Sequence, residues 1–253
     1  MSQRHALAGR IEHEVLWMQR RSFVQAAGSW VALGGAAAAQ AQQRSNIVEL
    51  TGDVLLNGRR LLPGQTIQSG DGITTGPASN LVFVLGDSSF QVRQNSRLVV
   101  ERGASLSVVS GLRVLTGAVI GVWGKGTLRR ITTPTVTLGI RGTGTYTEVF
   151  PEQSFRSYFC NCYGTVEVGA GTDKVLSQSD YHQSFWAEPV AKNGQFLFPA
   201  KAINHTDEEL EALAGLVKQR TNWQILGKKG LWNGRGYMED EPARKHPAEA
   251  LAK

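Results

Sequence analysis

Short runs of β-branched and aliphatic residues, separated by turn residues, fill the chain from residue 46 to about residue 168. They recur roughly every 8–12 residues, a spacing typical of all-β sandwiches and barrels. Two of the turns contain Asn57-Gly58, a strong hairpin signal, and Pro63-Gly64. No helical periodicity interrupts the runs, so parallel βαβ units are not expected. The pattern therefore predicts an all-β fold, an antiparallel β-sandwich or roll.

The pattern changes after these runs, where a single helix is predicted. Thr206 and Glu209 have the spacing of a capping box at the start of a helix. Apolar residues then follow at helical spacing: Leu210, Leu213, Ala214 and Val217. The helix is expected to end near Arg220. Residues 187–226 are thus interpreted as a helical extension, and the polar residues 227–253 as a flexible tail.

The N-terminal segment has the layout of an export signal: a charged leader, an apolar stretch and then small residues. Arg20, Arg21 and Phe23 resemble the bacterial twin-arginine motif, which is an address that a receptor reads. Ala39 and Ala41 form an A-x-A cleavage pattern, and the cut is predicted after the second alanine.

The predicted signal peptide covers residues 1–41, and the mature chain is expected in the periplasm or elsewhere outside the cytoplasm. Two alternatives stay open, an ordinary export signal and an uncleaved membrane anchor. No later segment reaches 18 uninterrupted apolar residues, so no membrane-spanning helix is expected once the signal is removed.

The strand-rich region 46–186 resembles a FecR domain over residues 47–150. The landmarks that carry this resemblance stand in the family's order: Asn57, Gly58, Gly70, Asp71, Thr133, Pro134, Arg141, Gly142 and Thr143. The resemblance implies a β domain that works as a binding or signalling module. The better-known members regulate a cytoplasmic sigma factor from the inner membrane in response to iron-siderophore uptake.

That regulatory role is not expected here, because the chain ahead of Arg20 is too short for the cytoplasmic domain of those members. Contacts with a protein or a cell-envelope ligand outside the cytoplasm are expected instead. The landmarks themselves are interpreted as structural. Arg141 could clamp a buried carboxylate or backbone carbonyls with its planar guanidinium group.

Charge and motifs exclude several classes of function. The formal net charge is +6 with a pI near 9.5, but no run of five Lys or Arg occurs, so a nucleic-acid partner is not expected. The chain has no G-x-S-x-G, P-loop, H-E-x-x-H or dinucleotide-binding motif. The prediction is therefore a non-enzymatic protein without a cofactor, with a metal ion kept as a possibility. An enzyme whose residues converge only in three dimensions stays as an alternative.

The stretch SYFCNCYGTVEV contains Cys160 and Cys162, the only two cysteines of the chain. In a regular strand their Cβ atoms would lie roughly 7 Å apart, whereas a disulfide requires about 3.8 Å. A simple local disulfide is therefore disfavoured. Alternation predicts that the cysteines share the core face of this strand with Tyr158, Gly164, Val166 and Val168.

Four interpretations of the two thiols stay open. They are buried small hydrophobes, a strained disulfide, a metal or haem-type site with His182 as a third ligand, or an intermolecular pair. The leading functional prediction is an exported, non-enzymatic FecR-like binding or signalling protein. The first alternative is a metal- or redox-active periplasmic protein that uses Cys160, Cys162 and His182.

Overall fold

The structure is a computed structural model, and it describes residues 45–227. The predicted signal peptide and all but the first residue of the predicted tail lie outside the described residues. Fourteen strands and two α-helices form within the described range. Their bounds are β1 (Ile47–Thr51), β2 (Val54–Leu56), β3 (Arg59–Arg60), β4 (Gly72–Thr75), β5 (Asn80–Leu85), β6 (Ser88–Val92), β7 (Arg97–Arg102), β8 (Val109–Val122), β9 (Arg129–Thr132), β10 (Thr137–Phe150), β11 (Arg156–Ala170), β12 (Asp173–Ser179), β13 (Gln183–Lys192), β14 (Gln195–Ala200), α1 (Asp207–Leu216) and α2 (Asn222–Leu226).

All fourteen strands join one sheet, so the predicted all-β fold is confirmed. The main path runs β14-β13-β11-β10-β9-β8-β7-β4-β2-β3, with β12 added to β11 and β1-β5-β6 added through β8. Neighbouring strands are antiparallel except β8 and β9, which pair in parallel. The chain turns from β2 to β3 at Asn57 and Gly58, whose φ angles of 53° and 78° are those of a tight hairpin.

Two apolar clusters fill the interior. The first cluster takes residues from most strands and includes Phe83, Phe90 and Trp123. The second cluster combines residues of the sheet region with apolar residues of both helices. Its members are Val82, Ala118, Ile120, Val122, Tyr146, Tyr158, Cys160, Cys162, Tyr163, Tyr181, Leu210, Leu213, Ala214 and Trp223. The helices therefore cover one face of the sheet.

The region predicted as a helical extension begins as sheet, which corrects the predicted start at residue 187. β13 and β14 continue to Ala200, because Phe185, Ala187 and Leu197 extend the first cluster. Residues 201–227, here called the C-terminal segment, contain the helices. No helix in the described part of the chain has the length and apolar character to cross a membrane.

The capping box predicted at the start of α1 is present. Thr206 accepts a hydrogen bond from the backbone N–H of Glu209, whose side chain accepts one from the backbone N–H of Thr206. The helix ends at Leu216, before the predicted Arg220, because Lys218 takes a left-handed conformation with φ 56°. A second capping box then starts α2 at Thr221.

The FecR-like landmarks near the start of the sheet form one hydrogen-bonded turn. Asn57 Nδ2 donates to Asp71 Oδ1 over 2.7 Å, and Asn57 Oδ1 accepts from the backbone N–H of Gly72 over 2.8 Å. In the later group, Thr133 Oγ1 accepts from the backbone N–H groups of Thr135 and Val136, across Pro134. These contacts agree with a structural role for the landmarks.

Arg141 does not clamp a buried carboxylate. Its side chain is 62% exposed and lies 3.5 Å from Glu167, which is equally exposed, because β10 turns this side chain outward beside a bulge at Gly142–Gly144. Among residues 45–227 the buried arginines are Arg93 and Arg129, neither of which the sequence singled out.

Replacing Glu49 with glutamine should stabilise the protein above neutral pH. Burial raises the pKa of Glu49 to about 7, despite hydrogen bonds from Asn80 and Thr51. The fold thus favours the protonated form, so this residue costs stability as pH rises from its unfolded pKa through about 7. Because the side chain is only half-buried, we expect the substitution to raise the unfolding free energy at pH 8 by about 1 kcal/mol. The corresponding rise in Tm is about 3 °C.

Thermal unfolding at pH 5 and pH 8 tests this expectation. The Glu49→Gln variant should gain Tm at pH 8 and much less at pH 5. Glu167→Gln is the matched control, because its side chain is 60% exposed. An equal gain at both pH values would contradict the assignment.

Candidate metal centre

Strand β11 places the two cysteines in the interior. Cys160 stands between Tyr146 of β10 and Ser184 of β13, so hydrogen-bonded neighbours flank it on both sides. Both cysteine residues are 0% exposed, and both are free thiols. Their Sγ atoms lie 3.7 Å apart, because the two side chains leave the same face of the strand. Two sulfur ligands are thus held side by side by a rigid element.

The predicted face alternation of β11 holds only up to the cysteines. Val166 and Val168 belong to the first cluster, whereas Cys160 and Cys162 belong to the second. The reason is an irregularity in the pairing of β10 with β11, where Gly164 has a φ of 99°. Both faces of the strand are buried at this level, so the cysteines do not mark a single core side.

His182 reaches the cysteines from the turn between β12 and β13. Its backbone N–H donates to Cys162 O over 2.9 Å, and its Nδ1 lies 3.4 Å from Cys160 Sγ. The residue has a φ of 42°, an uncommon backbone conformation for any residue other than glycine. Such conformations concentrate at functional sites, where the surrounding structure maintains them. The structure therefore brings together all three residues that the sequence proposed.

His205 completes the group, and sequence reasoning missed it. It lies just ahead of α1, with Nε2 3.5 Å from Cys162 Sγ and 3.1 Å from His182 Nδ1. The sequence does contain a signal for it. Of the five histidines, two lie in the predicted signal peptide and one in the tail, so His182 and His205 alone share the folded region with the cysteines.

The four ligand atoms have the spacing of a tetrahedral zinc site. All lie within 4.8 Å of one another. Zinc–sulfur bonds of about 2.3 Å and zinc–nitrogen bonds of about 2.0–2.1 Å imply edges of roughly 3.8 Å between sulfurs, 3.6 Å between sulfur and nitrogen and 3.3 Å between nitrogens. Four of the six edges here measure 3.7 Å between the sulfurs, 3.4 and 3.5 Å between sulfur and nitrogen, and 3.1 Å between the nitrogens, and the two other sulfur–nitrogen edges are at most 4.8 Å. A single ion therefore fits at the centre.

Outer hydrogen bonds orient both imidazoles toward that centre. His182 Nε2 lies 3.0 Å from Asp207 Oδ1, and His205 Nδ1 lies 2.6 Å from Ile203 O. A carbonyl oxygen only accepts, and an ionised carboxylate does the same, so each outer nitrogen carries the proton. With a metal ion bound, both rings would be neutral and their inner nitrogens would present lone pairs to the ion. This is the arrangement that metal-binding histidines use.

Aromatic rings enclose the four ligands. Tyr146 stacks on His205 with ring centroids 4.7 Å apart, and Trp223 of α2 stacks on His182 at 5.3 Å. Tyr181 donates its hydroxyl to Asp207 Oδ2 over 2.9 Å, which fixes the carboxylate. An apolar shell of this kind excludes solvent and is typical of a structural centre with no open coordination position.

Burial and neighbouring charges shift the pKa values of three residues at the centre, Cys160, Cys162 and His182. Burial alone would raise the pKa of Cys160, but the hydrogen bond from Cys162 and the charges of His205 and His182 hold it well below its usual value. Burial and the neighbouring thiolate raise the pKa of Cys162. Burial would lower the pKa of His182, yet Cys160 and Asp207 raise it to about 9. Without a metal the centre thus keeps a proton that a metal ion would displace.

One side of the centre resembles the catalytic row of a hydrolase. Cys160 would be the nucleophile, His182 the base and Asp207 the carboxylate that orients the base. A hydrolase needs that nucleophile to meet a substrate. Cys160 is 0% exposed, and Cys162 and His205 occupy the space beside it. The row therefore serves better as one side of a metal centre than as catalytic machinery.

Comparisons with known proteins do not assign a family. No model of a known protein family matches the chain, and neither does any curated protein. Two crystal structures from Parabacteroides distasonis ATCC 8503, both described as candidate anti-sigma factors, are similar to it at 11% identity and a TM-score of 0.43. The first match covers 53% of this chain and 60% of that chain, and the second covers 72% and 88%. The FecR resemblance therefore stays a prediction from the sequence.

Proposed function

We propose that this chain is a non-enzymatic metal-binding protein, in which two cysteines and two histidines hold one zinc ion in a closed structural centre. The observation that carries the proposal is the convergence of Cys160, Cys162, His182 and His205 at tetrahedral spacing, with both imidazoles oriented by outer partners. Two sulfur and two nitrogen ligands in a tetrahedron suit zinc, and four protein ligands leave no position for a substrate.

Metal analysis of the purified protein tests the proposal. We expect about one zinc per chain in the wild type, because the four ligands are pre-arranged, and a loss of most of that zinc in the Cys162→Ala and His205→Ala variants. His246→Ala, a histidine of the tail, is the matched control and should keep its zinc. Wild-type protein that carries no zinc after refolding with the metal, while both thiols react with a thiol reagent, would contradict the proposal.

The role of the whole chain forms a second part of the proposal. We infer that the mature chain works outside the cytoplasm as a binding or signalling module for a protein or cell-envelope ligand. The FecR-like landmarks and the twin-arginine-like motif support this inference. Zinc also supplies a reason for two adjacent free thiols in an oxidising compartment, because thiolates bound to a metal are less available for oxidation.

Export should depend on the paired arginines of the signal. Changing Arg20 and Arg21 together to lysine keeps the charge but removes the motif that the receptor reads, so mature protein should disappear from the periplasmic fraction and precursor should accumulate. Arg59→Lys with Arg60→Lys, a second and exposed arginine pair in β3, is the control. Unchanged periplasmic protein in the signal variant would contradict the twin-arginine route.

A further inference from the structure

An open groove crosses strands β9, β10, β11 and β12, and none of the residues that line it belongs to the metal centre. Its volume is about 730 Å³, which is within the range of ligand-binding clefts. Leu128 and Leu176 are among the lining residues and are 56% and 53% exposed. The groove is therefore a second feature of the sheet that could bind a ligand.

The floor of the groove contains glycines that packing does not require. Gly139 of β10 lies between Arg130 of β9 and Glu167 of β11. A Cβ atom added at Gly139 would meet no atom closer than 3.5 Å, and at Gly169 the nearest atom would be 3.8 Å away. Glycine within a strand weakens the strand and often marks a place where a ligand approaches closely. These two glycines leave the floor open to such an approach.

The two carboxylates that line the groove are already neutralised. Glu101 lies 3.5 Å from Arg113, and Glu167 lies 3.5 Å from Arg141. Ion pairs at the surface contribute little to stability, but each one keeps a positive charge beside its carboxylate. The net charge of the groove is therefore set by its other exposed charged side chains.

Those other side chains are the cations Arg130 and Lys174, both exposed. Among residues 45–227, no carboxylate forms an ion pair with either of them. Lys174 stands in one row across four strands with Gly169, Thr137 and Thr132, and Arg130 lies two residues before Thr132. Three strand spacings and one two-residue step separate the Cα atoms of the two cations by roughly 16 Å. Two unpaired positive charges thus stand at opposite ends of an open floor.

We propose that this groove binds an extended acidic segment of a partner protein, with one carboxylate at Arg130 and a second at Lys174. Side chains four residues apart in an extended chain share a face and lie about 13 Å apart, a distance that the long Arg and Lys side chains can match. An apolar residue midway between the two acidic residues would lie over Gly139, beside Leu128. The inference rests on the binding role in the second part of the proposed function, and it does not depend on zinc.

The lining of the groove favours a peptide over other anionic ligands. Anionic membranes attract clusters of about four to eight Lys or Arg residues, whereas this groove offers two unpaired cations. None of the described lining residues has an aromatic ring on which a sugar could stack. The exposed leucines suit an apolar side chain instead, and recognition of acidic motifs by basic side chains is a recurring mode of peptide binding.

Fluorescence anisotropy with a labelled peptide of core sequence ETLTE tests the proposal, because its threonines favour the extended form. We expect the purified protein to bind this peptide, to bind it less tightly as salt rises, and to bind the neutral peptide QTLTQ at least about tenfold more weakly. Lys174→Glu should weaken binding of ETLTE about tenfold. Lys201→Glu is the matched control, since this exposed lysine does not line the groove, and it should bind like the wild type.

A pair of substitutions at Gly139 tests the floor of the groove by shape and not by charge. Gly139→Leu should fill the floor and abolish peptide binding. Gly139→Ala adds a single methyl group where space exists, so it should keep most of the binding and a Tm no lower than that of the wild type. Thermal unfolding shows whether the leucine variant is folded, and if it is not, Lys174→Glu decides the outcome.

Equal binding of ETLTE and QTLTQ overturns the inference, and so does unchanged binding in Lys174→Glu or in a folded Gly139→Leu variant. Binding of polygalacturonate oligomers or of phosphatidylserine vesicles in place of the peptide also overturns it, but leaves the binding role of the proposed function in place. If none of the three binds, the inference fails while zinc content and export, which are measured separately, still decide the proposed function.

Discussion

The Cys162→Ala variant is expected to lose its zinc and more than about 4 kcal/mol of unfolding free energy, a class of effect associated with the loss of a bound metal. For a protein of this size the corresponding fall in Tm is about 10 °C or more. The physical reason is that the ion binds only the folded chain, so its binding free energy adds to the stability of the fold. Thermal and chemical unfolding measure both quantities.

The control for this prediction lies in the wild type itself. If the thiols were only small hydrophobes, removing one sulfur would cost about 1 kcal/mol whether or not zinc is present. If Cys162 binds zinc, wild type and variant should approach the same stability once a chelator has removed the metal. A difference between them that the chelator does not change would favour the hydrophobic interpretation.

Replacing Arg93 with methionine is expected to cost about 3–5 kcal/mol in the zinc-loaded protein, which makes it the second large effect. The Arg93 and Glu209 side chains are 8% and 2% exposed, with Nη2 and Oε1 2.5 Å apart. Losing the guanidinium leaves the Glu209 carboxylate in the interior without this opposite charge. Arg93 also lies over the Tyr146 ring, 5.5 Å from its centroid.

Removing the remaining charge should recover part of that loss. The double variant Arg93→Met with Glu209→Gln removes both charges of this buried pair, and glutamine still accepts the hydrogen bond of the capping box. We expect it to be more stable than Arg93→Met alone in urea unfolding. A double variant whose loss equals the sum of the two single losses would show that the two charges do not interact.

The sequence was sufficient to predict the fold class and several local features. Regular strand spacing indicated the all-β sheet, Asn57-Gly58 indicated the first hairpin, and Thr206 with Glu209 indicated the start of α1. These features depend on neighbours along the chain. Strand pairing does not, and the parallel contact of β8 with β9 left no trace in the local pattern.

The candidate centre was only partly predictable for the same reason. Cys160 and Cys162 share a strand face, so their proximity follows from local geometry. The approach of His205 depends on α1 packing over the sheet, which no spacing in the sequence encodes. The bulge beside Gly164 likewise moved Val166 to the other cluster, although simple alternation had placed it with the cysteines.

Arg141 shows that membership of a recognisable sequence motif does not by itself predict a buried side chain. Its place among the FecR-like landmarks suggested a buried clamp, yet the side chain lies on the surface beside Glu167. Arg93 directly follows β6, matches no motif, and forms the buried ion pair with Glu209. Burial of a charged side chain is decided by what packs over it, here the C-terminal segment, and only the folded structure contains that information.

X-ray absorption at the zinc edge of the purified wild-type protein tests the central claim most directly. A centre made by Cys160, Cys162, His182 and His205 predicts a four-coordinate ion with two sulfur neighbours at about 2.3 Å and two imidazole nitrogens at about 2.0–2.1 Å. A first shell made only of oxygen and nitrogen, or one with a single sulfur, would contradict it.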